Sequence, residues 1–236
     1  MDYDVVIRCK NEIEWLPRVL KSLQLQSIKP SNILLVDDNS TDGSSEHARA
    51  NGCKIIDYDK NDFNYSYALN LGLKQTKSKY ILILSAHCEL AKNRSLERML
   101  ELFQDHKNLA GVFGRQIPTP KSNPFDTRDL LTVFGREQII YKSYPFFHNA
   151  FSLISKKSWE IIKFNENYNG IEDRVWAKEQ TDNGNIVIYE PDAVVYHEHG
   201  LNQGTSFGRA KRVCNALSNL HEDDIFEWPS FETEEA

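Results

Sequence analysis

Little in this 236-residue chain suggests covalent or metal cross-bracing. It has four cysteines, Cys9, Cys53, Cys88 and Cys214, and no two stand close enough for a CxxC pair or a zinc-type spacing. Free, mostly buried thiols in a reducing cytoplasm are expected. Long apolar runs are also missing. The densest, Tyr80 to Leu84, is far shorter than the ~20 residues a membrane-spanning helix needs. The first residues, MDYDVVIRCKNEIEW, carry charge from the second position and contain no apolar segment of the secretory kind. The expectation is a cytoplasmic protein, soluble or peripheral to a membrane. An excess of positive charge is absent as well. Lys and Arg number 28 against 34 Asp and Glu, a net charge of −6, which argues against wholesale nucleic-acid binding and leaves room for a local basic site. No internal repeat is visible.

The chain does have the composition of an ordinary soluble domain, 40% apolar and 26% charged. Its length suits one domain with a short tail. In the first half, strand and helix signals alternate. Asp4-Val-Val-Ile7, Ile33-Leu-Leu-Val36, Lys54-Ile-Ile-Asp57 and Tyr80-Ile-Leu-Ile-Leu84 read as buried strands. Between them, Ile13, Leu16, Leu20 and Leu23 recur at helical spacing, Ser44 to Asn51 reads as a helix ending at Gly52, and Tyr65 to Gln75 as another. This βαβαβαβ order implies a doubly wound, mostly parallel α/β sheet, with ligands at the carboxyl ends of its strands. The second half is less regular. Leu96 to Phe103 is helical, and Ala110 to Gly114 and Ala150 to Ile154 are strands, the latter leading into a helix through Trp159. Glu172 begins a helix. Ile186 to Ile188 and Ala193 to Tyr196 read as two more strands. The prolines between Pro118 and Asp126 predict a loop. Gly204 to Asn219 predicts a last helix whose Arg209, Lys211 and Arg212 form a solvated basic face, or one that meets diphosphate or an anionic membrane. The expected domain runs over 1–221, with an acidic tail over 222–236.

Polar residues follow each of the first four strands: Arg8-Cys-Lys-Asn-Glu12, Asp37-Asp38, Tyr58-Asp59 and Ser85-Ala-His87. A carboxylate at such a strand end can accept hydrogen bonds from a nucleobase N–H or a ribose hydroxyl. The helix N-terminus after Gly43 favours a negative group such as a phosphate. The same residues also make an ordinary capped turn.

Taken together and in order, R-x-K-N-E at Arg8 to Glu12, V-D-D-N-S-T-D-G at Val36 to Gly43, and F-N-Y-S-Y-A-L-N-x-G at Phe63 to Gly72 resemble family 2 glycosyltransferases. Ile83-Leu-Ser-Ala-His87 stands where that family has its D-x-D metal motif, and Ile171-Glu-Asp-Arg-Val-Trp-Ala177 is similar to its E-D segment. The resemblance spans roughly residues 3 to 200. It implies the GT-A fold, a nucleotide-sugar donor and transfer of the sugar. It also implies roles. Asp37 would grip uracil or ribose, Arg8 and Asn11 would lie at the nucleotide or phosphate edge, and Asp59 would lie near the base. Asp38, Ser85 and Ala86 would belong to the same donor site. Glu12 would stand there or fix the loop, and Asn149 would touch donor sugar or acceptor. Asp173 would be the base that deprotonates the acceptor, with Glu172 orienting acceptor or base. As helix N-terminal acids, both are also explained by the dipole alone.

The departure from the family lies at Ser85 and His87, where two carboxylates are expected. His87 is either a ligand for Mn²⁺ or Mg²⁺, a hydrogen-bond donor to phosphate, or a plain loop residue. His197 and His199, one residue apart, face the same side of a strand. Either can take the place of the family's late histidine ligand, with His199 favoured. The aromatics Tyr141, Tyr144, Phe146 and Phe147 shape an acceptor cleft or belong to the core. The resulting expectation is an inverting glycosyltransferase acting on a glycan or lipid-linked hydroxyl in surface polysaccharide synthesis, with a divalent metal. Two rivals stand beside it. One is a non-catalytic nucleotide- or glycan-binding module. The other is a sugar nucleotidyltransferase, which should have a glycine-rich phosphate loop where residues 5 to 20 contain no glycine.

Overall fold

The β-branched and aliphatic runs of the first half form strands buried on both faces, and their order in the chain fixes a layered α/β architecture. A computed structural model describes residues 1–198 and, beyond them, Phe207, Lys211, Val213, Cys214 and Leu217. His199, Arg209, Arg212 and the tail from 222 lie outside the described residues. In chain order the elements are β1 (Tyr3–Cys9), α1 (Leu16–Gln24), β2 (Asn32–Asp37), α2 (Ser44–Ala50), β3 (Lys54–Asp57), α3 (Tyr65–Lys74), β4 (Tyr80–Ser85) and β5 (Cys88–Leu90). There follow α4 (Ser95–Asp105), β6 (Leu109–Ile117), α5 (Pro124–Val133), β7 (Ile139–Tyr141), β8 (Phe151–Ser155), α6 (Lys156–Ile161), α7 (Glu172–Asp182) and β9 (Ile186–His197).

One nine-stranded sheet runs β3-β2-β1-β4-β8-β6-β9-β5, with β7 paired to β9. The block β3-β2-β1-β4 is parallel, as the alternation predicts. Beyond it, β8 enters antiparallel between β4 and β6, and β6 and β9 pair in parallel. Helices cover both faces. One core, around Leu16, Leu20, Leu82, Met99 and Leu153, lies under α1 and α4. The other, around Leu69, Ile83, Phe113, Trp159 and Trp176, lies under α3, α6 and α7. At Gly72 the close approach of α3 to the sheet requires glycine, since a Cβ would stand 2.6 Å from Val6 Cγ1 and 2.8 Å from Val36 Cγ2.

Three features differ from the sequence expectation. The proline-rich stretch is not loop to Asp126. Asn123 caps a helix by accepting from the N–H groups of Phe125 and Asp126, and Pro124 occupies its first turn, where a missing N–H costs nothing. The two late strands are one, β9. Its continuity across Pro191 is accommodated by a register shift against β6 between Gly114 and Arg115, the kind of irregularity at which proline is tolerated within a sheet. The short β5 and β7 escaped notice because three residues hold too little pattern to read. Among the described residues no helix is long and apolar enough to cross a membrane.

Asp4 ties the parallel block together. Fully buried in β1, its carboxylate accepts from Asn32 Nδ2 at 2.8 Å, Lys77 N at 2.7 Å and Ser78 N at 2.9 Å. Burial pushes its pKa up, but the hydrogen bonds, led by that from Ser78, outweigh burial and leave it below the ordinary aspartate value. Hydrogen bonds to a buried charge are individually worth about 1.5–3 kcal/mol. Asp4→Asn should lower stability by about 2–3 kcal/mol, or about 4–12 °C in Tm for a domain of this size. A carboxyl whose pKa is depressed on folding stabilises above its unfolded pKa and loses that contribution as pH falls through the folded value. Urea midpoints of wild type and variant should therefore differ near neutral pH and converge in acid.

Candidate active site

The register of the parallel strands decides where their polar ends meet. Arg8 pairs with Ser85, and Cys9 with Asp37, across β1, so the residues that end β1, β2 and β4 reach one edge of the sheet. Cys88 pairs with His197, bringing the turn after β4 alongside the end of β9. The first turn of α7 and the segment before β8 complete the wall. Together they enclose a cavity of about 320 Å³ whose lining includes Arg8, Glu12, Asp38, Ser85, His87, Asn149, Glu172, Asp173 and His197. Phe63, Tyr65, His148 and Gly170 also line it.

Four expected site residues are not part of that lining. Asp37 is buried behind it, and its carboxylate accepts from both the hydroxyl and the N–H of Ser40, at 2.6 and 3.1 Å. Asn11 knits two loops: its N–H donates to Ser40 Oγ and its Oδ1 accepts from Thr41 N, with a φ of 56° that asparagine tolerates well. Asp59 accepts from the Tyr67 hydroxyl at 2.7 Å. Ala86 is buried. His199 lies outside the described residues. Of the adjacent acids at the end of β2, Asp38 is the one that faces the cavity, where it accepts from Lys10 Nζ at 2.7 Å.

At the α7 end, Glu172 and Asp173 are 4% and 9% exposed. Asp173 Oδ2 accepts from Asn149 N at 3.0 Å, and Oδ1 from Arg174 N at 2.8 Å. Glu172 Oε1 accepts from Arg8 Nη1 at 2.9 Å. Burial pushes the pKa of both carboxyls up. Arg8 opposes this at Glu172, and Arg174 with the two backbone donors opposes it at Asp173. A carboxylate with raised proton affinity is the kind of group that can take a proton near neutral pH. Beside it, Asn149 is 2% exposed. Its Oδ1 accepts from Ser152, whereas its Nδ2 has no hydrogen-bond partner among the described residues. A buried donor without a partner is costly, and a bound oxygen in the cavity would satisfy it.

Three histidines also line the cavity. His87 and His197 stack with centroids 5.1 Å apart and planes 12° from parallel. His87 Nδ1 faces Glu12 Oε1 at 2.9 Å. Gln116, buried in β6, lies between His197 Nδ1, 2.7 Å from its Oε1, and His148 Nδ1, 2.9 Å from its Nε2. The tautomers follow in sequence. Ala150 N–H can only donate, so His148 Nδ1 accepts. Gln116 must then present its NH₂ to His148 and its carbonyl to His197, whose Nδ1 must carry hydrogen. His87, facing a carboxylate, carries hydrogen on Nδ1 too. Both stacked rings therefore hold an oxygen acceptor at Nδ1, the outer-shell arrangement of metal-ligating histidines. Among the described residues, however, no three His, Cys, Asp or Glu side chains are grouped to hold a metal ion. Two imidazoles do not cage an ion by themselves, so a cation here would need further oxygen ligands from outside the protein. Gln116 carried no sequence signal, because a lone glutamine in a strand has no pattern to mark it.

The fold is the GT-A fold of glycosyltransferases. The family model described as glycosyl transferase family 2 matches residues 4–162, and the chain belongs to that family. Among curated proteins it is 27% identical over 199 residues to the O-antigen chain rhamnosyltransferase WbaN of Salmonella anatum, covering 80% of this chain and 63% of that protein. It is 30% identical over 168 residues to the 4,4'-diaponeurosporenoate glycosyltransferase of Staphylococcus haemolyticus, covering 68% and 41%. The chain thus spans less than two thirds of the length of these relatives. Among solved structures, a mannosyltransferase of Pyrobaculum calidifontis in complex with GDP-Man and Mn²⁺ superposes with a TM-score of 0.66 at 18% identity, covering 91% of this chain and 61% of that one. The 1–349 fragment of S. aureus TarS gives 0.65 at 15%, covering 84% and 60%.

The tautomer chain is measurable. In the EDTA-treated protein above the histidine pKa, long-range ¹H–¹⁵N spectra should show His148 protonated on Nε2 and His197 on Nδ1. Gln116→Leu should leave His148, still held by Ala150 N–H, as it is, convert His197 to a tautomer mixture and, by orphaning the buried His197 Nδ1, cost about 1–3 kcal/mol of stability.

Proposed function

We propose that this protein is an inverting glycosyltransferase that moves a sugar from a nucleoside diphosphate donor to a hydroxyl of a glycan or lipid-linked acceptor. The observation that carries the reading is the buried Glu172–Asp173 pair opening into a cavity that the parallel strand ends also line. In one displacement Asp173 takes the proton of the acceptor hydroxyl. The acceptor oxygen then bonds to the anomeric carbon, and the bond from that carbon to the phosphate oxygen breaks. Its electron pair leaves with the nucleoside diphosphate, and configuration inverts. Asn149 N–H holds the Asp173 carboxylate in place, while the unsatisfied Asn149 Nδ2 receives a sugar or acceptor oxygen. His87 and His197 face the departing diphosphate. Asp38 with Lys10, Glu12, Ser85 and the Arg8 end of β1 form the donor side. Asn11, Asp37, Ala86 and Asp59 support that side from behind, by shaping the loops that carry it.

His87 and His197 are the residues that would hold a divalent cation such as Mn²⁺, and a bound cation would supply positive charge to the leaving phosphate. The Mn²⁺ and GDP-Man of the Pyrobaculum neighbour support a metal-assisted diphosphate donor, and the O-antigen relative supports a polysaccharide acceptor. We place the reaction in the cytoplasm, at the inner membrane face where a lipid-linked acceptor would be met, with residues 1–221 as the catalytic domain and 222–236 as its tail.

Asp173→Asn should lower transfer by about 10²–10⁴-fold, the usual worth of a general base, while donor affinity by calorimetry stays near wild type; near-normal turnover would remove Asp173 from the mechanism. Because burial raises the proton affinity of the pair and the base must be ionised, kcat/KM should fall on acidification at a pH above the ordinary aspartate range. The limb belongs to the pair rather than to either acid. EDTA should depress release of nucleoside diphosphate and Mn²⁺ restore it, with His87→Ala raising the Mn²⁺ concentration needed for half-restoration.

A further inference from the structure

The family resemblance places Arg8 at the phosphate edge of the donor, but its contacts lead in another direction. Its Nη1 donates to Glu172 Oε1 at 2.9 Å, across 164 residues of chain, and stands 3.5 Å from the Tyr65 carbonyl. The guanidinium carbon lies 4.8 Å from the centroid of the Tyr65 ring. Arg8 is therefore held by an ion pair on one side and an aromatic face on the other, with its side chain 16% exposed and that of Glu172 only 5%. Among the described residues the charged groups facing the acid pair are Arg8 from β1 and Arg174 from α7. Only Arg8 makes an ion pair with Glu172.

We infer that Arg8 is the positioning residue of the carboxylate pair: it clamps Glu172, so fixing the first turn of α7 and the direction of the Asp173 carboxylate. This rests on Asp173 being the base. The physical reason is that Glu172 and Asp173 are consecutive on one helix turn. A buried Glu172 without its counter-ion either takes up a proton or withdraws toward water. Either response changes the backbone that carries Asp173, whose remaining anchors are two backbone N–H groups. Nη1 carries both the Glu172 and the Tyr65 carbonyl contacts, so the guanidinium is oriented by α7 and Tyr65 before any donor arrives.

The test is a cycle of Arg8→Gln, Glu172→Gln and the double variant in initial-rate transfer assays, with Tm recorded for each. Arg8→Gln should lower kcat by about 10²-fold, the scale of an ångström-sized misplacement, with donor KM within about threefold of wild type. Its acid limb should move relative to wild type. In the Glu172→Gln background, where there is no charge left to clamp, adding Arg8→Gln should change the rate by less than about threefold. Should Arg8→Gln cost the same factor in both backgrounds, or raise donor KM with kcat intact, Arg8 binds the donor and the inference is overturned. If Arg8→Gln fails to fold, Arg8→Lys is measured instead, since it keeps the charge but loses the planar guanidinium. A lower kcat at unchanged donor KM supports clamping, and wild-type values in both parameters, or a raised donor KM, overturn it. A fully active Arg8→Gln beside an inactive Asp173→Asn would defeat the Arg8 inference alone, whereas an active Asp173→Asn would defeat the reading beneath it.

Discussion

Parallel strands that finish at the same level create the constraint from which the rest of this molecule follows. With Arg8 opposite Ser85 and Cys9 opposite Asp37, the carboxyl ends of β1, β2 and β4 bring Arg8, Asp38 and Ser85 to one cavity. The register itself is locked by burial. Each of these strands is covered on both faces, and a slip of one residue would exchange the two cores. Asp4 adds a polar lock at the opposite end, binding the β2 entry and the turn before β4 to one carboxylate. The rigid block therefore delivers one half of the cavity before any loop is considered.

The other half comes from segments distant in sequence, and here electrostatics does the positioning. Two acids buried on consecutive positions of a helix would repel each other and pay for their desolvation. They are tolerated because each has separate partners: Arg8 for Glu172, and the N–H groups of Asn149 and Arg174 for Asp173. Three histidines line the same cavity: Ala150 N–H, through Gln116, dictates the proton positions of His148 and His197, and Glu12 that of His87. The cavity thus brings the two buried acids, three histidines, Glu12 and Asp38 around one space, a mixture that can accept a proton as well as meet an anion.

Much of this was legible in the sequence, because the signals were of the right kind. The first four strands and three helices followed from periodicity. The recurring R-x-K-N-E, V-D-D-N-S-T-D-G and E-D segments pointed to the family that the match over residues 4–162 establishes. Legibility ended where roles depend on which way a side chain turns. Asp37 and Asp38 are adjacent and chemically identical, yet the strand's alternation turns one to Ser40 behind the site and the other into the cavity. Asn11 looks like a ligand-binding residue and acts as a bracket between loops. α5 was hidden because its proline reads as a breaker until the Asn123 cap ahead of it is noticed. Gln116 was hidden because it works only through two histidines at 32 and 81 residues' remove.

The replacement of an acidic motif by Ser85-Ala86-His87 is where family pattern and local chemistry part, and the geometry suggests why the exchange is workable. A D-x-D motif adds two negative charges next to a leaving diphosphate and needs a cation to reconcile them. Here Glu12 is already hydrogen-bonded to His87, so the local charge is that of one carboxylate shared with an imidazole stacked on a second ring. Such a wall meets a diphosphate with less repulsion, so the demand it places on any accompanying ion is smaller. The buried acids of α7 keep their own partners, Arg8 for Glu172 and the N–H groups of Asn149 and Arg174 for Asp173, and are independent of this exchange. Buried carboxylates and paired imidazoles can share one cavity because each set is satisfied by partners of its own.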